Sequence, residues 1–125
     1  MRAPILKQGK YLIGSIQGSL SDADLLALRD ELTSTVREQR SSGVVIDVTV
    51  LDVLDSFAAR TLRTISQMIR LLGAETVIVG IQPEVAVSMV QLGLTIEGAA
   101  TALDLEEGLA LLDARTGRGA RRHAR

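Results

Sequence analysis

The side chains with the means for chemistry crowd into one stretch, Asp47 to Arg60. A β-branched run, Val44-Val45-Ile46, meets Asp47, and Asp52, Asp55 and Ser56 follow before a helical pattern sets in. Three carboxylates near one strand end are oxygen ligands of the kind a hard cation such as magnesium takes. The usual work of aspartate favours another reading, in which Asp47 and Asp52 bind loop backbone or solvent and Asp55 caps the coming helix. On that reading neither a metal nor any other cofactor is expected.

Ser56 falls at or just inside the helix N-terminus, beside Asp55. It is either one more group at the helix start or an acceptor for a phosphoryl group. Phosphorylation adds about −1.5 to −2 charge at neutral pH, which the helix dipole favours and Asp52 and Asp55 oppose. Next to Phe57 and Ala58, that charge and its hydration shell would disrupt an apolar contact or one facing other carboxylates, so the position suits a switch of binding. Asp55, Phe57, Ala58 and Arg60 are the neighbours expected to meet a partner. Thr49 is a second hydroxyl near the same strand end, expected to be less accessible because it lies in a β-rich run.

Other chemistries are excluded by what the chain lacks. Its one histidine, His123, sits in a basic C-terminal tail, so neither a hydrolytic triad nor a histidine-rich metal site is available. With no cysteine there is no thiolate site or disulfide, and a reducing compartment, the cytoplasm, is the default expectation. Gly80-Ile81-Gln82-Pro83-Glu84 follows a strand and opens a helix but has no phosphate-loop lysine, so it reads as a plain turn. No apolar run approaches the roughly 20 residues that span a bilayer, and a formal charge of −1 with 2% aromatic residues offers no field or stacking surface for specific nucleic-acid binding.

Positioning Ser56 takes a folded domain, and 46% hydrophobic content over 125 residues supplies one core. Ile5-Leu6 and Tyr11–Ile16 read as a hairpin with Lys7-Gln8-Gly9-Lys10 between them. Ser21 and Asp24 form a capping box, and Leu25, Leu28, Leu32 and Val36 recur at helical spacing until Ser41-Ser42-Gly43. Val44–Val48 is a buried strand. Phe57, Leu62, Ile65, Ile69 and Leu72 stripe a helix that stops at Gly73. Residues 75–81 form the next strand, and Pro83 opens a helix carrying Val85, Ala86, Met89 and Leu92. Leu94-Thr95-Ile96 is expected as a short last strand and Thr101 as the cap of a helix with Leu105, Leu109 and Leu112. Arg115, Arg118, Arg121, Arg122 and Arg125 then form a tail without hydrophobic periodicity, expected to be disordered. The sum is an α/β fold, a mixed sheet covered by amphipathic helices, with one domain over 1–114 and the tail over 115–125.

The same residues carry a resemblance. The order strand, strand, helix, strand, Asp-Ser at a helix start, helix, strand, helix, helix resembles the STAS domain of anti-sigma factor antagonists up to about Leu112. Pro4-Ile5-Leu6, Val44-Val45-Ile46-Asp47, Asp55-Ser56-Phe57, residues 80–86 and residues 102–109 are similar to the RsbS-type scaffolds of the bacterial stressosome. Ordinary antagonists tend to carry Ser-Ser-Gly or similar after the aspartate, and Phe57 and Ala58 after Ser56 depart from that. The resemblance implies a non-enzymatic scaffold that holds an RsbT-type serine kinase until Ser56 is phosphorylated, a PP2C-type phosphatase that reverses the mark, and RsbR-type STAS co-scaffolds in a large hetero-oligomer; exposed apolar residues leave a homodimer as the other expected assembly. A stand-alone antagonist with the same serine switch, and a nucleotide-binding domain using the aspartates with magnesium, are the alternatives.

Overall fold

The computed structural model describes residues 4–18 and 21–116. Five strands, β1 (Ile5–Gln8), β2 (Tyr11–Ser15), β3 (Gly43–Asp47), β4 (Glu75–Val79) and β5 (Ala99–Ala102), lie side by side in chain order. β1 runs antiparallel to β2, and every later neighbour is parallel. The helices are α1 (Asp22–Gln39), α2 (Ser56–Leu71), α3 (Pro83–Leu92) and α4 (Leu105–Arg115). Parallel strands joined through helices bury both faces of the sheet, which is why Val44, Val45 and Ile46 are all buried.

Alternation along the strands divides that core. Leu12, Val44, Ile46 and Ile78 meet Leu28, Leu32 and Val36 of α1 and Leu62, Ile65 and Ile69 of α2. Ile13, Val45, Val77 and Val79 meet Leu112 of α4 on the opposite face. At the start of α1, Ser21 and Asp24 exchange hydrogen bonds of 3.1 Å, the expected capping box. The bond from the Ser21 backbone, then that from its side chain, holds the Asp24 carboxyl below its ordinary value. The box is therefore intact above the ordinary carboxylate range and is lost as pH falls through the lowered value.

Several boundaries differ from the sequence reading. Lys7 and Gln8 belong to β1, leaving Gly9 and Lys10 as the turn. α1 ends on Arg40 in the left-handed region, φ 52, and Gly43 begins β3 rather than closing the helix. The last strand is Ala99–Ala102, not Leu94-Thr95-Ile96, which joins α3 to it. Asp104, not Thr101, caps α4, because Thr101 is paired in β5 and the Asp104 carboxylate accepts from the Glu107 N–H at 2.9 Å. Leu72, Ala86 and Leu92 face solvent instead of the core, and Arg115 closes α4. The tail from residue 117 lies outside the described residues.

Thr76, buried in β4, is the one buried side chain among the described residues whose oxygen has no hydrogen-bond partner. An unpaired buried hydroxyl costs roughly 1–3 kcal/mol. Thr76→Val keeps the shape and removes that group, so its thermal unfolding midpoint is expected to rise by a few degrees, measured by circular dichroism.

Candidate functional site

The carboxyl end of β3 sets the site. Asp47, paired with Val79 at the last register position, turns its Oδ1 to the Thr49 N–H at 2.9 Å and to the Thr49 hydroxyl. This is the local turn that aspartate makes with backbone two residues on. The Val48 N–H still bonds to the Val79 carbonyl at 3.0 Å, so the chain leaves the sheet only at Thr49. Buried Leu54 then pins the far end of the loop to the core.

Asp55 is the N-cap of α2, its Oδ1 accepting the Ala58 N–H at 2.8 Å. Ser56 is the first residue of the helix and is exposed. Because Asp55 supplies the capping oxygen, the Ser56 hydroxyl stands outside that bond, at the positive end of the helix dipole. Asp55 is the cap, half-buried Phe57 and Ala58 lie in the first turn of α2, and exposed Arg60 is its fifth residue, one turn on from Ser56. Removing the cap with Asp55→Ala is expected to lower stability by roughly 0.5–2 kcal/mol, read as a lower urea midpoint with an unchanged slope.

Thr49 corrects the sequence reading. It lies beyond the strand, in a turn, and is exposed. Its hydroxyl is engaged by Asp47, and its carbonyl accepts the Gln82 Nε2 at 2.6 Å. That bond ties the loop before Ser56 to the loop before α3. Gly80, φ 82, makes the tie possible, since a Cβ there would fall 2.0 Å from the Thr49 Oγ1.

The three aspartates do not gather around one point: Asp47 serves Thr49 and Asp55 serves Ala58. Among the described residues no group of three or more histidine, aspartate or glutamate side chains is placed to hold a metal ion. Asp52 and Asp55 instead join Asp22 of α1 around a recess of about 360 Å³, with Leu25, Val50 and Val53 in its wall. Val50 and Val53 are exposed apolar side chains in a loop, and the sequence reading did not single them out. Their signal is position, since after Asp47 they no longer belong to the alternating strand.

A recess with acidic and apolar walls beside an exposed serine at a helix start can dock a protein surface and can be altered by charge added to that serine. None of this requires the chain to catalyse a reaction. Among the described residues no helix is long and apolar enough to cross a membrane.

Comparison with known proteins bears on the fold and the family. The family model described as STAS domain matches residues 3–107. A serine-to-glutamate variant of RsbS from Moorella thermoacetica is 37% identical and superposes with a TM-score of 0.78 over 91% of this chain and 98% of that one. A chain from a structure described as the molecular architecture of the stressosome, a signal integration and transduction hub, is 38% identical, with a TM-score of 0.76 over 90% and 97% of the two chains. The RsbT co-antagonist protein RsbRA of Bacillus subtilis (strain 168) is 30% identical over 92 residues, 74% of this chain but 34% of that protein. The chain thus spans about a third of the length of the RsbR-type relatives it matches. The five-stranded mixed sheet, the four helices and the sequence match together make this chain a member of the STAS domain family.

Proposed function

We propose that this chain is a non-enzymatic scaffold and phosphorylation switch of a stressosome-type assembly, working in the cytoplasm. Ser56 accepts a phosphoryl group from an RsbT-type serine kinase, which the unmodified protein holds. A PP2C-type phosphatase removes the mark, and RsbR-type STAS proteins share the scaffold. The observation that carries the proposal is the placement of Ser56, exposed on the first turn of α2 and outside the capping bond that Asp55 makes. Similarity to RsbS and to a chain of the stressosome over nearly the whole length of both favours the scaffold over a stand-alone antagonist.

The switch follows from charge. The surface around Ser56 combines Val50, Val53 and Phe57 with Asp52 and Asp55. A phosphoryl group gives the first turn a second strong anion that competes with Asp55 for the same backbone N–H groups. It also hydrates the apolar side chains a docked kinase would cover. In the transfer itself the Ser56 oxygen bonds the γ-phosphorus of ATP, ADP leaves and the hydroxyl proton is released.

Mass spectrometry after incubation with the kinase and ATP tests the assignment. The expected result is one phosphoryl group, mapped to Ser56. Labelling at Thr49 in place of Ser56, or no labelling by a kinase active on its own RsbS-type substrate, would contradict it.

A further inference from the structure

Charge in this molecule is sorted by the direction of its helices. Each helix leaves the carboxyl end of a parallel strand and returns toward the amino end of the sheet, so all four N-termini share one end of the molecule. α4, which follows the last strand, comes back to the start of β2, where the Tyr11 hydroxyl meets Asp113 at 2.5 Å and Thr116 at 3.1 Å. The N-terminal end is acidic: Asp22 and Asp24 open α1, Asp55 caps α2, Glu84 opens α3, and Glu106 and Glu107 open α4. The other end is basic, with Arg37, Arg70 and Arg115 in the last turns of α1, α2 and α4.

Helix dipoles favour that sorting, but they do not account for the rest of the basic end. Lys10 sits in the turn between β1 and β2, and its carbonyl accepts the Ser42 N–H at 2.8 Å just past α1. Lys7 of β1 donates to Gln39 at 2.9 Å. Exposed Arg40 holds the left-handed backbone, φ 52, that glycine or asparagine normally takes at a helix exit. The chain also leaves its folded body here. Beyond Thr116 the sequence adds Arg118, Arg121, Arg122 and Arg125, with no acidic residue and nothing apolar larger than alanine.

We propose that this basic end, the turn at Lys10 with the exits of α1 and α4 and the arginine tail, binds the phosphate backbone of single-stranded nucleic acid without reading its sequence. The formal charge of −1 does not oppose this, because most of the balancing carboxylates lie at the far end of the sheet. A strand of five residues such as β3 spans about 17 Å, roughly two Debye lengths at physiological ionic strength. Glu38, Glu75, Glu97 and Asp113 lie at the basic end too, against six lysines and arginines on the body and four in the tail. Arginine predominates, and its planar fork pairs with phosphate oxygens through two parallel bonds. Stacking groups are missing, since Tyr11 is half-buried with its hydroxyl engaged and Phe57 lies at the acidic end, so recognition stops at the backbone. A lipid surface fits less well. The tail has no large apolar residue to insert, and exposed Leu71 and Leu72 share a groove with Asp30, Glu38 and Arg37, whose net charge is negative.

Fluorescence anisotropy of the full chain with a labelled oligouridylate of about 20 nucleotides, longer than one site of this kind, tests the proposal. Binding is expected at about 50 mM salt and should weaken roughly 100-fold or more by about 200 mM, as counterions released from several phosphates require. Replacing the four tail arginines with glutamine should reduce the slope of log affinity against log salt by about 3. Lys10→Glu should weaken binding severalfold with an unchanged circular dichroism spectrum, whereas Arg63→Glu, the same change of charge halfway along α2, should not. Ser56 lies at the acidic end, so the result does not depend on the kinase switch. No binding at the lower salt overturns the proposal, as do binding that salt leaves unchanged, a Lys10→Glu variant that binds like the wild type, or equal binding of polyglutamate or phosphatidylglycerol vesicles.

Discussion

Ser56→Ala is expected to retain an RsbT-type kinase as tightly as the wild type while taking up no phosphoryl group, and Ser56→Glu to bind it more weakly. The loss follows from the surroundings of the side chain. Asp55 already occupies the Ala58 N–H at 2.8 Å, so a second anion at the first position of α2 finds part of the helix end taken. The neighbouring recess already carries the carboxylates of Asp52 and Asp55, so the added charge is of like sign. Couplings of this kind are commonly about 1–3 kcal/mol, or roughly 5- to 150-fold in affinity. Glutamate carries one charge where a phosphate carries nearly two, so Ser56→Glu should fall in the lower part of that range. Surface plasmon resonance with immobilised kinase measures both variants. Equal binding by all three proteins would place the docking surface away from Ser56.

Gly80→Ala is expected to produce a large loss of stability although it adds only one methyl group. The residue holds φ 82, and a Cβ there would lie 2.0 Å from the Thr49 Oγ1 and 3.1 Å from the Thr49 Cα. Left-handed backbone costs a non-glycine residue roughly 1–2 kcal/mol, and forcing a methyl group into a packed contact typically adds about 1–3 kcal/mol. The unfolding midpoint should therefore fall by on the order of 10 °C. Gly73→Ala separates the two effects, because Gly73 has φ 92 with nothing within 4 Å of the added carbon, and only the backbone strain remains. Displacing Thr49 also breaks its bond to Gln82, so Gly80→Ala should weaken kinase binding while Gly73→Ala leaves it unchanged.

The comparison of sequence with structure shows which kinds of information are local. The capping box at Ser21 and Asp24, the stripe of Leu25, Leu28, Leu32 and Val36, and the helix beginning at Ser56 were legible because each depends on residues three or four apart. β5 was not, because Ala-Ala-Thr-Ala has no strand signal of its own and becomes a strand only by pairing with β4. Thr49 was misplaced for the same reason. Its propensity suits a strand, but the register ends β3 at Asp47, opposite Val79. α3 is apolar on most sides, so its pattern did not reveal which residues the core would take: Val85 is buried, Met89 packs half-buried against the core, and Ala86 and Leu92 stay outside. The bond from Gln82 to Thr49 joins residues 33 apart, and no local pattern records it.

The most direct test of the switch is a complex of the unmodified chain with an RsbT-type kinase, supplied with ATP and followed in time for both Ser56 phosphorylation and bound kinase. The account predicts that the kinase leaves in step with phosphoryl transfer, that phosphatase treatment restores the complex, and that Ser56→Ala keeps its kinase throughout. A kinase that stays bound to fully phosphorylated protein, or leaves Ser56→Ala on addition of ATP, would contradict it.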